Sequence, residues 1–184
     1  ALLMSKKYHL VITNVPYRKR GDHCDLLKDF CETYYPAGKY DLATVFLDRC
    51  LEMCKQYGTA SVVLPQNWLF LTTYKKLREK LLNNDTFHLI ARLGPGAFET
   101  ISGEVVKAIL NITSKGNASG LRKIFKQLDA NSSYISGLDV SDIRTAAEKA
   151  RQLRDMKIKK VEQEIQLENP DSRISLEAQR EHNL

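Results

Sequence analysis

Two short apolar runs in this chain each stop at a proline turn, and they restrict the fold more than any other feature. Residues 8–13 read YHLVIT and lead into Asn14-Val15-Pro16-Tyr17. Residues 60–64 read ASVVL and meet Pro65 directly. β-Branched runs without strict alternation predict strands covered on both faces, and proline cannot continue a central ladder. Residues 87–93 (FHLIARL) and 105–113 (VVKAILNIT) read as two more strands. Between them the apolar spacing turns helical. Leu42, Val45, Phe46, Cys50, Met53 and Cys54 predict a helix over 40–57, with Gly58 as its cap. Thr72 or Thr73 caps a second helix through Leu82, with Tyr74, Leu77, Leu81 and Leu82 inward and Lys75, Lys76, Arg78 and Lys80 on a solvated face. Strands alternating with helices predict an open α/β sheet. Ligands in such sheets bind beyond the carboxyl ends of the strands, where Asn14, Pro65 and a turn over 94–98 are expected.

The remainder reads as connection and extension. Residues 18–39 form a long polar loop with room for one short helix. Residues 114–120 are a small-residue linker, and 121–138 a small β-unit or loop. A charged helix is expected over 139–167 with Ser141 as its cap, and little order from Asn169 onward. The division is therefore 1–116 for an α/β domain and 117–184 for a linker and charged helical extension.

Charge and cysteine usage narrow the partners. Lys and Arg number 28 against 22 Asp and Glu, a net charge of +6, which favours a polyanion such as nucleic acid. Arg18, Lys19 and Arg20 follow the first proline turn and are the best candidates for phosphate contact. Cys24, Cys31, Cys50 and Cys54 form no metal-type pair. Cys50 and Cys54 read as core thiols of a protein kept in a reducing cytoplasm. His9, His23, His88 and His182 show no metal spacing, so no metal is expected. No apolar run reaches the length of a membrane span.

The Asn14 turn carries the chemistry. An exocyclic adenine amine is a poor nucleophile because its lone pair is delocalised into the ring. Two acceptors aimed at its two hydrogens favour build-up of electron density on nitrogen as attack begins. A side-chain amide and a neighbouring backbone carbonyl can supply them, and an aromatic ring can stack on the base once it leaves the duplex. Asn-X-Pro-Tyr at a strand end offers all of these, with proline fixing the turn.

Asn14-Val15-Pro16-Tyr17 resembles the (Asn/Asp/Ser)-Pro-Pro-(Tyr/Phe) motif of N6-adenine methyltransferases. In order behind it come Tyr40-Asp41-Leu42, Phe46-Leu47, Val63-Leu64-Pro65-Gln66-Asn67-Trp68-Leu69, Tyr74-Lys75-Lys76-Leu77-Arg78, Gly94-Pro95-Gly96-Ala97-Phe98 and Gly103-Glu104-Val105-Val106. Together these resemble the large methylases of type IIG restriction-modification systems and of BREX-type (PglX-like) phage exclusion. The resemblance covers residues 2–115 and continues more loosely through 138–143 and 169–172.

It implies the second half of a Rossmann-like sheet that uses S-adenosylmethionine, with the fourth strand antiparallel. Asn14 and the Val15 carbonyl would accept the adenine amine, Pro16 would shape the turn, and Tyr17 would stack on the base. Phe98 would close the other side of the base pocket, and Phe46 would lie near the methyl donor. The sequence departs from the pattern twice. Valine stands where the motif has proline, as in ribosomal-RNA adenine dimethylases, which keeps RNA as an alternative substrate. Nor does a glycine-rich strand–loop–helix for S-adenosylmethionine precede Asn14. The expectation is a DNA-modifying fragment, inactive alone, completed by a missing N-terminal cofactor-binding half or a second chain. A non-catalytic nucleic-acid-binding or interaction module is the other reading.

Overall fold

A computed structural model describes residues 2–96, 106–117 and 133–177. Strands β1 (Tyr8–Asn14), β2 (Cys54–Pro65), β3 (Thr86–Gly94), β4 (Ala108–Ser114), β5 (Tyr134–Asp139) and β6 (Lys159–Glu162) form one sheet in the order β1-β2-β4-β3-β5-β6. β1 is parallel to β2 and β3 to β5, while β4 runs against both β2 and β3. β1, β2, β3 and β5 therefore point the same way and end at one edge. The α/β class and the antiparallel β4 are as the sequence led one to expect. Pairing across the sheet aligns Pro65 with Ala108 and Ala108 with Gly94, so the proline and glycine turns share that edge.

Helices cover one face. α2 (Leu42–Met53) and α3 (Lys75–Asn84) bring Leu47, Leu51, Leu77 and Leu81 onto Ala60, Val62, Leu64, Phe87, Ile90 and Ile109 in one buried cluster. Each fully buried large side chain there contributes roughly 1.5–3 kcal/mol. Trp68 lies nearly parallel to Phe87 with ring centroids 6.3 Å apart. The opposite face is different near β1. Leu10, Ile12 and Leu110 are 55%, 72% and 37% exposed, and alternation along the strands sets all three on that face.

Several local expectations change. The first long helix ends at Met53, and Cys54 already belongs to β2. Tyr57 adopts φ 64° just before Gly58. A Cβ on Gly58 would stand 2.8 Å from the Tyr8 carbonyl oxygen. Gly58 therefore admits β1 beside β2 rather than capping a helix. α3 starts at Lys75 after a 3-10 turn, Thr72–Tyr74, and no side chain caps it. The Thr72 hydroxyl donates instead to Asp171 Oδ2 at 2.8 Å.

Arg78 is not on a solvated face. It is fully buried, and its guanidinium donates to the carbonyl oxygens of Trp68 (2.6 Å), Leu71 (2.8 Å), Asp171 (2.7 Å) and Ser172 (3.1 Å). This fixes residues 169–177 of the segment expected to be poorly ordered, while residues 178–184 lie outside the described residues. Ile174 and Leu176 are buried, and Ile174 N–H reaches the Leu69 carbonyl at 2.9 Å.

The expected helix over 139–167 is shorter. α4 spans Ala146–Asp155 and lies between β5 and β6, which extend the same sheet. Its cap is Thr145, whose Oγ1 accepts from Glu148 N–H at 3.3 Å. Ser141 uses its hydroxyl on Asp139 instead. Within the expected loop over 18–39, α1 (Asp25–Tyr34) is the one described α-helix.

Candidate functional site

The site is built at the carboxyl edge. β1 ends with Asn14, whose side chain is exposed, while Val15 turns inward, 5% exposed, and joins the main core cluster. Valine at this position thus anchors the turn by burial. Pro16 is exposed, and half-buried Tyr17 packs back onto the core. The Tyr17 hydroxyl donates to Asn14 Oδ1 at 3.4 Å. Burial, with a smaller effect from the Asp41 carboxylate, pushes the Tyr17 phenol up to about 12.

The chain beyond the turn is zipped to the start of α2. Leu42 N–H donates to the Arg18 carbonyl at 2.8 Å and Arg20 N–H to the Tyr40 carbonyl at 2.9 Å. Asp41 caps α2, its carboxylate accepting from Ala43 N–H at 2.8 Å. His23 Nε2 also contacts the Arg18 carbonyl at 2.9 Å. These contacts hold Asn14-Val15-Pro16-Tyr17 against a rigid helix terminus without a second proline.

Beside the turn opens a cavity of about 530 Å³, lined by Tyr17, Lys19, Asp41, Gln66, Asn67 and Lys107 among others. That is ample for a nucleobase. Gln66 N–H donates to the Lys107 carbonyl at 2.8 Å, joining the end of β2 to the entry of β4. The Gln66 side chain is 5% exposed, and its Oε1 has no hydrogen-bond partner. Sequence reasoning gave no role to Gln66 and Lys107. Their signal was available: Pro65 ends a strand parallel to β1, so the residues after it stand beside the Asn14 turn.

The other expected site residues are spread out. Lys19 lines the cavity and pairs through its backbone with Asp41. Arg18 is exposed. Arg20 is held away by Glu32, at 2.7 Å, which also pairs with Lys39. Phe46 does not face this cavity. It lies on α2 in an apolar groove with Met4, Leu27, Phe30, Tyr34 and Leu42. Phe98 lies outside the described residues. The Gly94-Pro95-Gly96 turn forms as expected, with φ of 65° and 68° at its glycines. Among the described residues, no group of His, Cys, Asp and Glu could hold a metal ion, and no helix is long and apolar enough to cross a membrane. All four cysteines are free thiols, with Cys31, Cys50 and Cys54 buried.

Comparison with known proteins identifies the family. The chain is 36% identical over 137 residues to the adenine-specific methyltransferase BrxX of Escherichia coli O9:H4 (strain HS), a match covering 73% of this chain and 11% of that protein. It is 34% identical over 125 residues to the adenine-specific methyltransferase PglX of Lacticaseibacillus casei (strain Zhang), covering 68% and 10%. The chain thus spans about a tenth of the curated relatives it matches. Its fold is shared with a nuclease-deletion mutant of the type ISP restriction-modification enzyme LlaGI, solved with a DNA substrate mimic, at TM-score 0.57 and 15% identity over 83% of this chain and 17% of that one. Residues 3–98 match the Eco57I restriction-modification methylase family, and the chain belongs to that family.

Proposed function

We propose that the protein containing this segment transfers a methyl group to adenine N6 in DNA, and that this segment holds the base. One observation carries the reading. At the carboxyl end of β1, an exposed Asn14 amide and a turn anchored by buried Val15 stand with Tyr17, whose ring lines an open cavity. Asn14 Oδ1 accepts one hydrogen of the adenine amine and the Val15 carbonyl the other, which draws electron density onto nitrogen. Pro16 shapes the turn and Tyr17 stacks on the extruded base. Phe98 keeps the role that the family resemblance implies, closing the other side of the base. Lys19 and Arg18 meet the phosphates flanking the base, while Arg20 is engaged by Glu32.

S-adenosylmethionine, when bound, supplies the methyl group. The described residues fit it poorly, because they contain no glycine-rich strand–loop–helix. Phe46 offers one apolar wall, and the rest of the cofactor site comes from another part of the protein. That part also covers the open flank of β1, where Leu10 and Ile12 are exposed on one face and Phe30 and Tyr34 on the other side of the strand. Residues 1–116 carry the Asn14 turn, and the remainder adds β5 and β6 to the same sheet rather than a separate helical extension. The buried free thiols suit the cytoplasm.

The test is a methylation assay of the full-length protein with S-adenosylmethionine and matched duplex DNA and RNA, digested and read by mass spectrometry. N6-methyladenine in the DNA is expected. Methylation confined to RNA, or absent from both, rejects the reading.

A further inference from the structure

Phe70 is a wall shared by two cavities. It follows the 3-10 turn Gln66–Leu69 and is 37% exposed. It lines the cavity beside Tyr17 and also a second cavity of about 210 Å³. Arg92 of β3, Asp139 of β5, Lys159 of β6, Arg173 and Glu177 line the second cavity as well. Arg92 and Asp139 are partners in the β3–β5 pairing, two residues before Gly94, and Lys159 pairs with Gly137. All three stand at the carboxyl edge, which also carries the Asn14 turn. Small-molecule sites occupy about 300–1,000 Å³. The second cavity is smaller and suits one charged group rather than a whole nucleotide.

Its charges are arranged to receive an anion. Arg92 Nη1 donates to Asp139 Oδ2 at 2.8 Å. Asp139 Oδ1 accepts from the Ser141 N–H at 3.0 Å and from the Ser141 hydroxyl at 2.6 Å. Both carboxylate oxygens are thus engaged, and they hold in place a guanidinium with further N–H groups to offer. A planar fork fixed in this way suits a phosphate. Arg173 makes only a long pair with Asp171, at 3.4 Å. Lys159 is exposed, and among the described residues it has no ion pair. Glu177, on the same lining, is the one carboxylate there besides Asp139. The chain leading into β6 strengthens the positive field: residues 142–160 hold seven Lys and Arg against three Asp and Glu.

We infer that this second cavity is a phosphate site for the DNA strand that carries the target base. With the base on Tyr17, the backbone passes Phe70, and a flanking phosphate is taken by Arg92, Lys159 and Arg173. Such a contact carries no sequence information and fixes where the strand lies. The inference rests on the base-holding role proposed above for the Asn14 turn.

The experiment uses the full-length methylase carrying Lys159→Gln, with Lys55→Gln, at the amino end of β2, as a control of equal charge change. DNA affinity is measured over a range of salt. The target strand carries a neutral methylphosphonate at one phosphate at a time. Lys159→Gln should weaken binding about fivefold or more at low salt, and should reduce the slope of log affinity against log salt by about 1. Wild type should lose affinity at one neutralised phosphate near the target adenine, and Lys159→Gln should no longer sense that position. Lys55→Gln should keep the wild-type slope and pattern. A wild-type slope for Lys159→Gln overturns the inference, as does the same methylphosphonate pattern in both proteins. An equal fall in Lys55→Gln also overturns it, because bulk charge then explains the effect. N6-methyladenine measured on the same DNA separates the two ideas. If wild type forms none, the base-holding reading has failed; if wild type methylates while Lys159→Gln keeps its slope, the phosphate site alone has failed.

Discussion

The Tyr17 hydroxyl donates to Asn14 Oδ1 across 3.4 Å, so the oxygen proposed to meet the adenine amine already has a donor in the free protein. The bond is long and neutral, worth at most about 1 kcal/mol. An incoming amine displaces it easily, and meanwhile it keeps the amide oxygen turned toward the ring. Tyr17→Phe removes the donor and keeps the stacking face, so kcat/KM of the full-length enzyme should fall by less than about fivefold. Tyr17→Ala removes the ring and should cost about 1–3 kcal/mol in binding of the extruded base.

The phenol also makes a pH prediction. Its folded value is raised to about 12, so its stabilising contribution is complete below the ordinary tyrosine range. It is lost as pH rises through about 12. Tyrosinate absorbance should show several late-titrating groups, because burial also raises Tyr35 and Tyr74, and Tyr17→Phe should remove one of them. Titration of every tyrosine near 10 would contradict the burial of Tyr17.

Arg78 should be among the most sensitive positions for stability. Replacing it with Met leaves the carbonyls of Trp68, Leu71, Asp171 and Ser172 without their donor. The expected loss is about 3–5 kcal/mol. Hydrogen exchange should rise first over residues 169–174. Uniform destabilisation without local opening there would refute the pinning role.

These positions show what the sequence could and could not reveal. The strands β1 to β4 were legible because buried runs bounded by Pro and Gly leave few alternatives. Arg78 was misread because its charge outweighed its spacing: it lies four residues from Tyr74 and from Leu82, on the buried side of α3. Two of the four hydrogen-bond acceptors that make its burial tolerable lie about 90 residues away, at Asp171 and Ser172, and no local pattern announces them. The 40–57 helix ran too long because Cys54 continues the apolar spacing, while Gly58 and the positive φ of Tyr57 serve strand entry. In the site, Asn14 and Tyr17 were legible from chemistry. The cavity wall at Gln66 and Lys107 depends on which strands neighbour one another.

Asp48 and Lys80 should respond oppositely to mutation. Asp48 is 3% exposed, with one carboxylate oxygen 2.8 Å from Lys80 Nζ and the other without a partner. Burial raises its pKa, and Lys80 only partly offsets this. A raised carboxylate pKa contributes stability below its unfolded value of about 3.9, and that contribution is lost as pH rises through the folded value. Asp48→Asn should therefore melt higher than wild type at neutral pH, the gap closing towards pH 4. Lys80→Met should destabilise by about 1–3 kcal/mol at neutral pH, because it leaves a buried carboxylate unpaired. Equal losses in both variants would contradict this assignment.

Ile12 should behave differently in the segment and in the parent protein. It is 72% exposed here, so Ile12→Asp should change the melting of this chain by less than about 0.5 kcal/mol. In the full-length protein the same change buries a charge beneath whatever covers β1, at about 3 kcal/mol or more. Thermal melts of both forms test this, and equal small effects would mean the flank of β1 stays open.

The most direct test of the account concerns Asn14. Asn14→Ala in the full-length methylase should lower single-turnover methylation of adenine by about 10²–10³-fold, with DNA affinity and cofactor affinity each within about threefold of wild type. Methylation at the wild-type rate in that variant would contradict the claim that this turn holds the reacting amine.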